Sequence, residues 1–272
     1  MRTIVHLSDL HFGRMDERIL SPLVAAIRAG APHLVVVSGD LTQRARRQQF
    51  IQAREFLDGL PQPCLVIPGN HDVPLYDLAA RLFNPFGYFR RYIASDLDPV
   101  FIDDEMIVVG LNSARAVVLQ GRGRVNEMQV DRAAARLKAA PRKTIKIVVT
   151  HHPFDLPKTI GVQHLVGRSQ MAMAKFAAAG ADVFLAGHLH LSHMGSTAAR
   201  YRIADHDALV VQAGTLSTRL RGEVPAFNIL RIQQSEIAVE QHLWNDARVT
   251  FEASAARMWT LRARAARPSS MV

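Results

Sequence analysis

The chain has 272 residues, 49% hydrophobic and 21% charged, which fits one large globular domain and excludes a disordered or fibrous protein. Its one cysteine, Cys64, excludes an internal disulfide framework. With no apolar leader after Met1 and no bilayer-length apolar stretch, the expectation is a soluble, cytoplasmic protein; the formal charge of +9 favours anionic partners, although the arginines are too dispersed to mark a nucleic-acid binder.

In chain order, Val-, Ile- and Leu-rich runs at residues 3–7, 34–37, 65–67, 106–111, 145–149, 183–186 and 209–212 read as buried strands. Apolar residues at three- and four-residue spacing predict helices over 18–29 and 46–57. Asn126-Glu127-Met128-Gln129 reads as a capping box opening a helix through Leu137, and 170–178 reads as a short helix. Residues 74–101 and 155–168, with their prolines, read as long irregular connections. Alternating strands and helices predict an α/β domain with covered sheets, and the part after Val210 predicts some antiparallel pairing. Residues 251–267 place Phe251, Ala255, Met258 and Trp259 at helical spacing beside Arg257, Arg262, Arg264 and Arg267. That pattern predicts a basic C-terminal helix, which either docks on a membrane surface or packs on the domain body. No repeat or linker divides the chain, so 1–272 reads as a single domain.

The chemistry lies just beyond the strands, where functional groups of such sheets gather. The strand ends read Ser8-Asp9-Leu10-His11, Ser38-Gly39-Asp40, Gly69-Asn70-His71-Asp72, Thr150-His151-His152 and Gly187-His188-Leu189-His190. A lone histidine usually serves a hydrogen bond at the core edge; five strand ends that each offer metal-ligand types are a constellation. Asp9 and His11, and likewise His188 and His190, are two apart, so in extended geometry each pair would point to one side and converge. Mixed imidazole and oxygen donors suit Mn, Fe, Co, Ni or Zn better than Ca or Mg. Arg115 and the segment 121–124 follow another strand end, where they could face a phosphate or simply form a solvated turn.

These motifs, in this order, resemble those of the calcineurin-like metallophosphoesterases: D-x-H, G-D, G-N-H-D/E, H and G-H-x-H across residues 9–190. Gly39-Asp40-Leu41-Thr42-Gln43-Arg44 lacks the second Asp of the Ser/Thr protein phosphatases, and Gln43 stands where purple acid phosphatases carry a tyrosine ligand. The pattern is most similar to the bacterial class III cyclic-nucleotide phosphodiesterases. The resemblance implies a four-layer αββα sandwich of two mixed β-sheets flanked by helices, and a two-metal hydrolase. By position, Asp9, His11, Asp40 and His190 would hold one ion, and Asp40, Asn70, His151 and His188 the other, with Asp40 bridging. The ions implied are divalent or trivalent Mn, Fe, Zn or Co, with Mn and Fe favoured, and a bridging hydroxide would attack phosphorus. His71 would protonate the leaving oxygen, with Asp72 fixing its tautomer and holding it cationic. The implied substrate is a small phosphodiester, first a 3′,5′-cyclic nucleotide. A nucleotide- or lipid-linked pyrophosphatase or glycerophosphodiesterase is the alternative. A DNA nuclease ranks lower, because about 80 residues after His190 leave little room for a DNA-binding cap. Relatives also imply a homodimer.

Overall fold

Ile4, Leu34 and Val36 face one side of their strands, and Val5, Leu7, Val35 and Val37 face the other; all are buried. This two-sided burial explains why β2 (Leu34–Val37) is an unbroken apolar run and why β1 (Arg2–Leu7), paired parallel to it, carries apolar residues on both faces. The computed structural model describes residues 1–116, 122–157, 159–201, 203, 206–233 and 236–261.

β3 (Cys64–Val66) continues the parallel set beside β2. On the other side of β1, β10 (Ala226–Ile232) and β11 (Glu236–Asn245) add antiparallel. β12 (Thr250–Ala253) and β13 (Arg257–Thr260) both pair with β11, completing the first sheet. The second sheet runs β4 (Val100–Ile102), β5 (Met106–Leu111), β6 (Ile145–Thr150), β7 (Val183–Ala186), β9 (Leu209–Gln212) and β8 (His193–Ser196). Its four central strands are parallel and its edge strands antiparallel.

The two sheets enclose one apolar layer that includes Ile4, Val36, Ile67, Val108, Ile147, Leu185, Val211 and Leu230. α1 (Leu20–Ala29) and α2 (Arg47–Asp58) cover the first sheet through Leu23, Ile27, Phe50 and Phe56. α5 (Glu127–Ala139) and α6 (Ser169–Ala179) cover the second through Leu137, Met173 and Phe176. The result is the expected four-layer αββα sandwich of two mixed sheets. Among the described residues, no helix is long and apolar enough to cross a membrane.

Two expectations are corrected. Residues 74–101 are not irregular throughout: they contain α3 (Leu78–Phe83), capped by the Asp77 carboxylate accepting from Ala80 N, and α4 (Gly87–Tyr92). Asn84-Pro85-Phe86 separates the two helices, so neither offers a window long enough to show helical periodicity.

The basic helix expected over 251–267 is replaced by β12 and β13 as far as Leu261; residues 262–267 lie outside the described residues. The ten-residue β11 presents a row of backbone groups along its outer edge, and two short strands satisfy them better than a helix could. Phe251 is then buried against Phe227 and Trp244, ring centroids 5.3 Å away in both cases.

Candidate metal centre

The ends of β1, β2, β3, β6 and β7 meet at one rim of the sandwich, and this brings all seven proposed ligand side chains together. They divide into two touching groups. In the first, Asp9 Oδ1 stands 3.2 Å from His190 Nε2 and 3.6 Å from His11 Nε2, and the two imidazole nitrogens are 3.1 Å apart. In the second, Asn70 Oδ1 stands 3.1 Å from His151 Nε2 and 3.0 Å from His188 Nδ1. Asp40 Oδ2 lies between the groups, 3.3 Å from His151 Nε2 and 3.6 Å from His11 Nε2.

The backbone reaches this arrangement at a cost. Asp9, His11, Asp40, His188 and His190 all have left-handed φ, between 47° and 73°. The expected convergence of i and i+2 in extended geometry is therefore not the device used. Both pairs turn through left-handed residues beyond their strands, and His188 and His190 go to different groups. Close approach adds a second constraint: a Cβ on Gly39 would come within 2.7 Å of His151 Nδ1 and 2.9 Å of the Gly69 backbone.

The donor set fits cations. His151 Nδ1 faces the Ser38 carbonyl at 2.8 Å and His190 Nδ1 the Arg219 carbonyl at 2.7 Å, so each donates a proton there and turns Nε2 toward the centre. Each Nε2 faces carboxylate or amide oxygens, a contact that needs a cation between them or, without one, a second proton on the imidazole. Asp9 Oδ1 and His11 Nδ1 are buried with no hydrogen-bond partner. The electrostatics ask for positive charge at the same place. Burial alone would lower the His151 imidazole, yet the Asp40 charge and hydrogen bond lift it to about 9. His188, by contrast, falls to about 3 through burial and the neighbouring His151 charge. Burial would raise the Asp40 carboxyl, but His151 and the surrounding imidazoles hold it well below the usual range. Two groups each offering three or four N and O donors around a shared carboxylate could hold two transition-metal ions. Mn²⁺ at 100 times its Kd should therefore stabilise the chain by about 2.7 kcal/mol and raise the melting midpoint by roughly 5–10 °C. An unchanged scanning-calorimetry midpoint would contradict that fit.

His71 stands beside the centre, its ring 4.8 Å from that of His11. Its Nδ1 donates to the Gln43 carbonyl at 2.9 Å, and its Nε2 accepts from Arg219 Nη1 at 2.9 Å. Asp72 does not fix this ring as expected. Its carboxylate accepts from Gly69 N, Leu41 N, Thr42 N and Thr42 Oγ1 at 2.8–3.2 Å, tying the β2 and β3 loops together. Gln43 orients the imidazole instead, and burial outweighs the Asp40 charge, so the proton affinity of the free ring is lowered. His152 is buried on Ser113 Oγ at 2.9 Å.

Sequence reasoning missed Arg219. Its backbone carbonyl orients His190 while its guanidinium caps His71, and Thr215 of the same loop donates to the Asp9 carbonyl. A signal was present: Thr215–Arg219 follows the apolar run of β9, as every other site segment follows its own strand. Around the centre opens a cleft of about 410 Å³, lined by Asp40, Asn70, His71, His188 and His190 together with arginines from several loops.

The profile of the calcineurin-like phosphoesterases matches residues 2–192. The chain belongs to the calcineurin-like phosphoesterase family. The 3′,5′-cyclic adenosine monophosphate phosphodiesterase CpdA of Escherichia coli K12 is 27% identical over 203 residues, covering 69% of each chain. A probable glycerophosphodiester phosphodiesterase GpdQ of Arcobacter nitrofigilis is 28% identical over 149 residues, 52% of this chain and 50% of its own. The purple acid phosphatase PPD1 of yellow lupin superposes with a TM-score of 0.70 at 11% identity, covering 94% of this chain and 53% of that one, which is a likeness of fold. This phosphoesterase is thus a hydrolase whose family uses a dinuclear metal centre.

Proposed function

We propose that this phosphoesterase is a dinuclear metal-dependent phosphodiesterase acting on small phosphodiesters of the nucleotide kind, with 3′,5′-cyclic nucleotides the first class to test. The observation that carries the reading is Asp40 Oδ2, which stands between two groups of imidazole nitrogens and oxygens at the floor of a cleft lined by arginines. The CpdA relative supports the cyclic nucleotide, and the GpdQ relative supports a glycerophosphodiester as the second reading.

In this reading Asp9, His11, Asp40 and His190 hold one ion, and Asp40, Asn70, His151 and His188 the other, with Mn or Fe favoured. Two such ions would activate a water for in-line attack and neutralise the phosphoryl oxygens. The neutral Asn70 amide completes its group without cancelling charge that the phosphate needs. Arg219, which is half-buried and lines the cleft, sits where it can turn from His71 to an equatorial phosphoryl oxygen. His71, pinned through Nδ1 to Gln43, then presents Nε2 to the leaving oxygen.

The testing experiment strips the protein with a chelator, reloads it with Mn²⁺, and assays bis(p-nitrophenyl) phosphate, cyclic AMP and glycerophosphocholine side by side. Metal-dependent turnover of the nitrophenyl diester is the expected result, and cyclic AMP against glycerophosphocholine separates the two readings. A fully loaded protein that turns over none of them would refute the proposed activity.

A further inference from the structure

Six arginines line the cleft: Arg44, Arg81, Arg115, Arg122, Arg219 and Arg221. They come from the loop after β2, from α3, from the segments after β5 and from the loop after β9, so they enter from different walls. Among the described residues none of the six forms an ion pair with a carboxylate, whereas Arg54, Arg200 and Arg231 elsewhere do. Among the described residues the one carboxylate lining the cleft is Asp40, which faces the imidazole cluster.

One wall is arranged ahead of any ligand. Arg115 is half-buried, and its Nε donates to the Arg124 carbonyl at 2.7 Å, which aims the rest of the guanidinium. Burial and the like charges of Arg124 and Arg168 lower its proton affinity, with only partial compensation from Asp98. Arg122, from the same connection after β5, is exposed and also lines the cleft. Gathering like charges at a half-buried point is costly unless an anion occupies it. A cyclic mononucleotide has one negative charge, which the metal centre itself would take up. That leaves this wall with nothing to bind.

Resting on the phosphodiesterase reading above, we infer that the substrate is a small phosphodiester carrying a second phosphate, which Arg115 and Arg122 hold while the scissile phosphate lies on the metal centre. Guanidinium forks are the groups suited to a terminal phosphate, through paired charge-assisted hydrogen bonds. A cleft of about 410 Å³ admits a dinucleotide-sized ligand rather than a long strand. In the reaction a bond forms between phosphorus and the water oxygen, and the bond from phosphorus to the leaving ester oxygen breaks. One water proton ends on that oxygen as an alcohol, and the second phosphate is released unchanged on its own fragment.

The test compares the Mn²⁺-reloaded full chain on ApA and pApA, which share one 3′,5′-diester and differ by a 5′-terminal phosphate. kcat/KM should favour pApA by about tenfold or more, the worth of one charge-assisted hydrogen bond. Arg122→Met, an exposed change that leaves packing alone, and Arg115→Met should each pull that preference toward unity. Arg136→Met, on the exposed face of α5, should leave the preference intact. Calorimetric titration supplies a readout without turnover: adenosine 3′,5′-bisphosphate should bind tighter than AMP, and Arg122→Met should remove the difference. Equal kcat/KM for ApA and pApA would overturn the inference while leaving the phosphodiesterase reading in place. Faster turnover of a 5′-phosphorylated twelve-nucleotide strand than of pApA would overturn the small-molecule class. No metal-dependent turnover of any diester, with equal binding of the two nucleotides, would overturn both readings.

Discussion

Asp40→Asn is expected to lower metal-dependent diesterase turnover by about 10³-fold or more, while the metal-free chain stays as stable as the parent or gains stability. The two effects share one cause. Asp40 Oδ1 accepts from His71 N at 2.8 Å, a bond that an amide oxygen keeps. Oδ2 faces Nε2 of His151 and of His11, and an amide nitrogen in its place would donate to the neutral imidazole that His151 becomes once the Asp40 charge is gone. The left-handed φ of 54° accommodates Asn as readily as Asp. Without metal, the substitution exchanges a buried Asp40–His151 ion pair, costly to desolvate, for a neutral hydrogen bond. With metal, it removes the only anion shared by both groups, so neither ion is held as before. Metal content, turnover and the melting midpoint in chelator would be measured together. Two ions retained with near-parental turnover would rule out Asp40 as the shared ligand.

His71→Asn should cost about 10²-fold on diesters with alkoxide leaving groups and much less on nitrophenyl esters, because nitrophenolate leaves without needing a proton. The structure sharpens what this measures. The Gln43 carbonyl fixes Nδ1 as the protonated nitrogen, so any proton delivered to substrate must come from Nε2. In the free protein that atom accepts from Arg219. The acid role therefore requires Arg219 to leave the ring, and substrate phosphate is the natural competitor for its guanidinium. Equal losses on both ester classes would assign His71 to positioning instead.

The sandwich and the gathering of the seven candidate ligand residues at one rim were legible for a common reason. Strands such as 34–37 and 183–186 are apolar on both faces, so metal-ligand residue types placed just beyond them at a buried rim stand out. Phe251, Met258 and Trp259 misled because their spacing also fits a helix, and only the unpaired edge of β11 decides for strands. α3 and α4 were hidden by their length of six residues each. Asp72 was assigned to His71 because the two are adjacent in sequence. In space its carboxylate turns the other way, onto backbone amides of the β2 loop. Arg219 belongs to no motif, and its position depends on a loop returning from β9 to touch Asp9, a contact 206 residues apart in sequence.

The five left-handed residues at the rim have a consequence for how such a chain can change. Each non-glycine residue held there costs about 1 kcal/mol, and three of them are histidines. Replacing His11, His188 or His190 by glycine or asparagine relaxes the backbone at the same moment that it deletes a donor. Loss of the chemistry is therefore thermodynamically downhill for the unliganded scaffold, and drift alone would carry the fold toward inert descendants that keep its shape. Only a continuing demand for turnover, with metal in supply, opposes that slope.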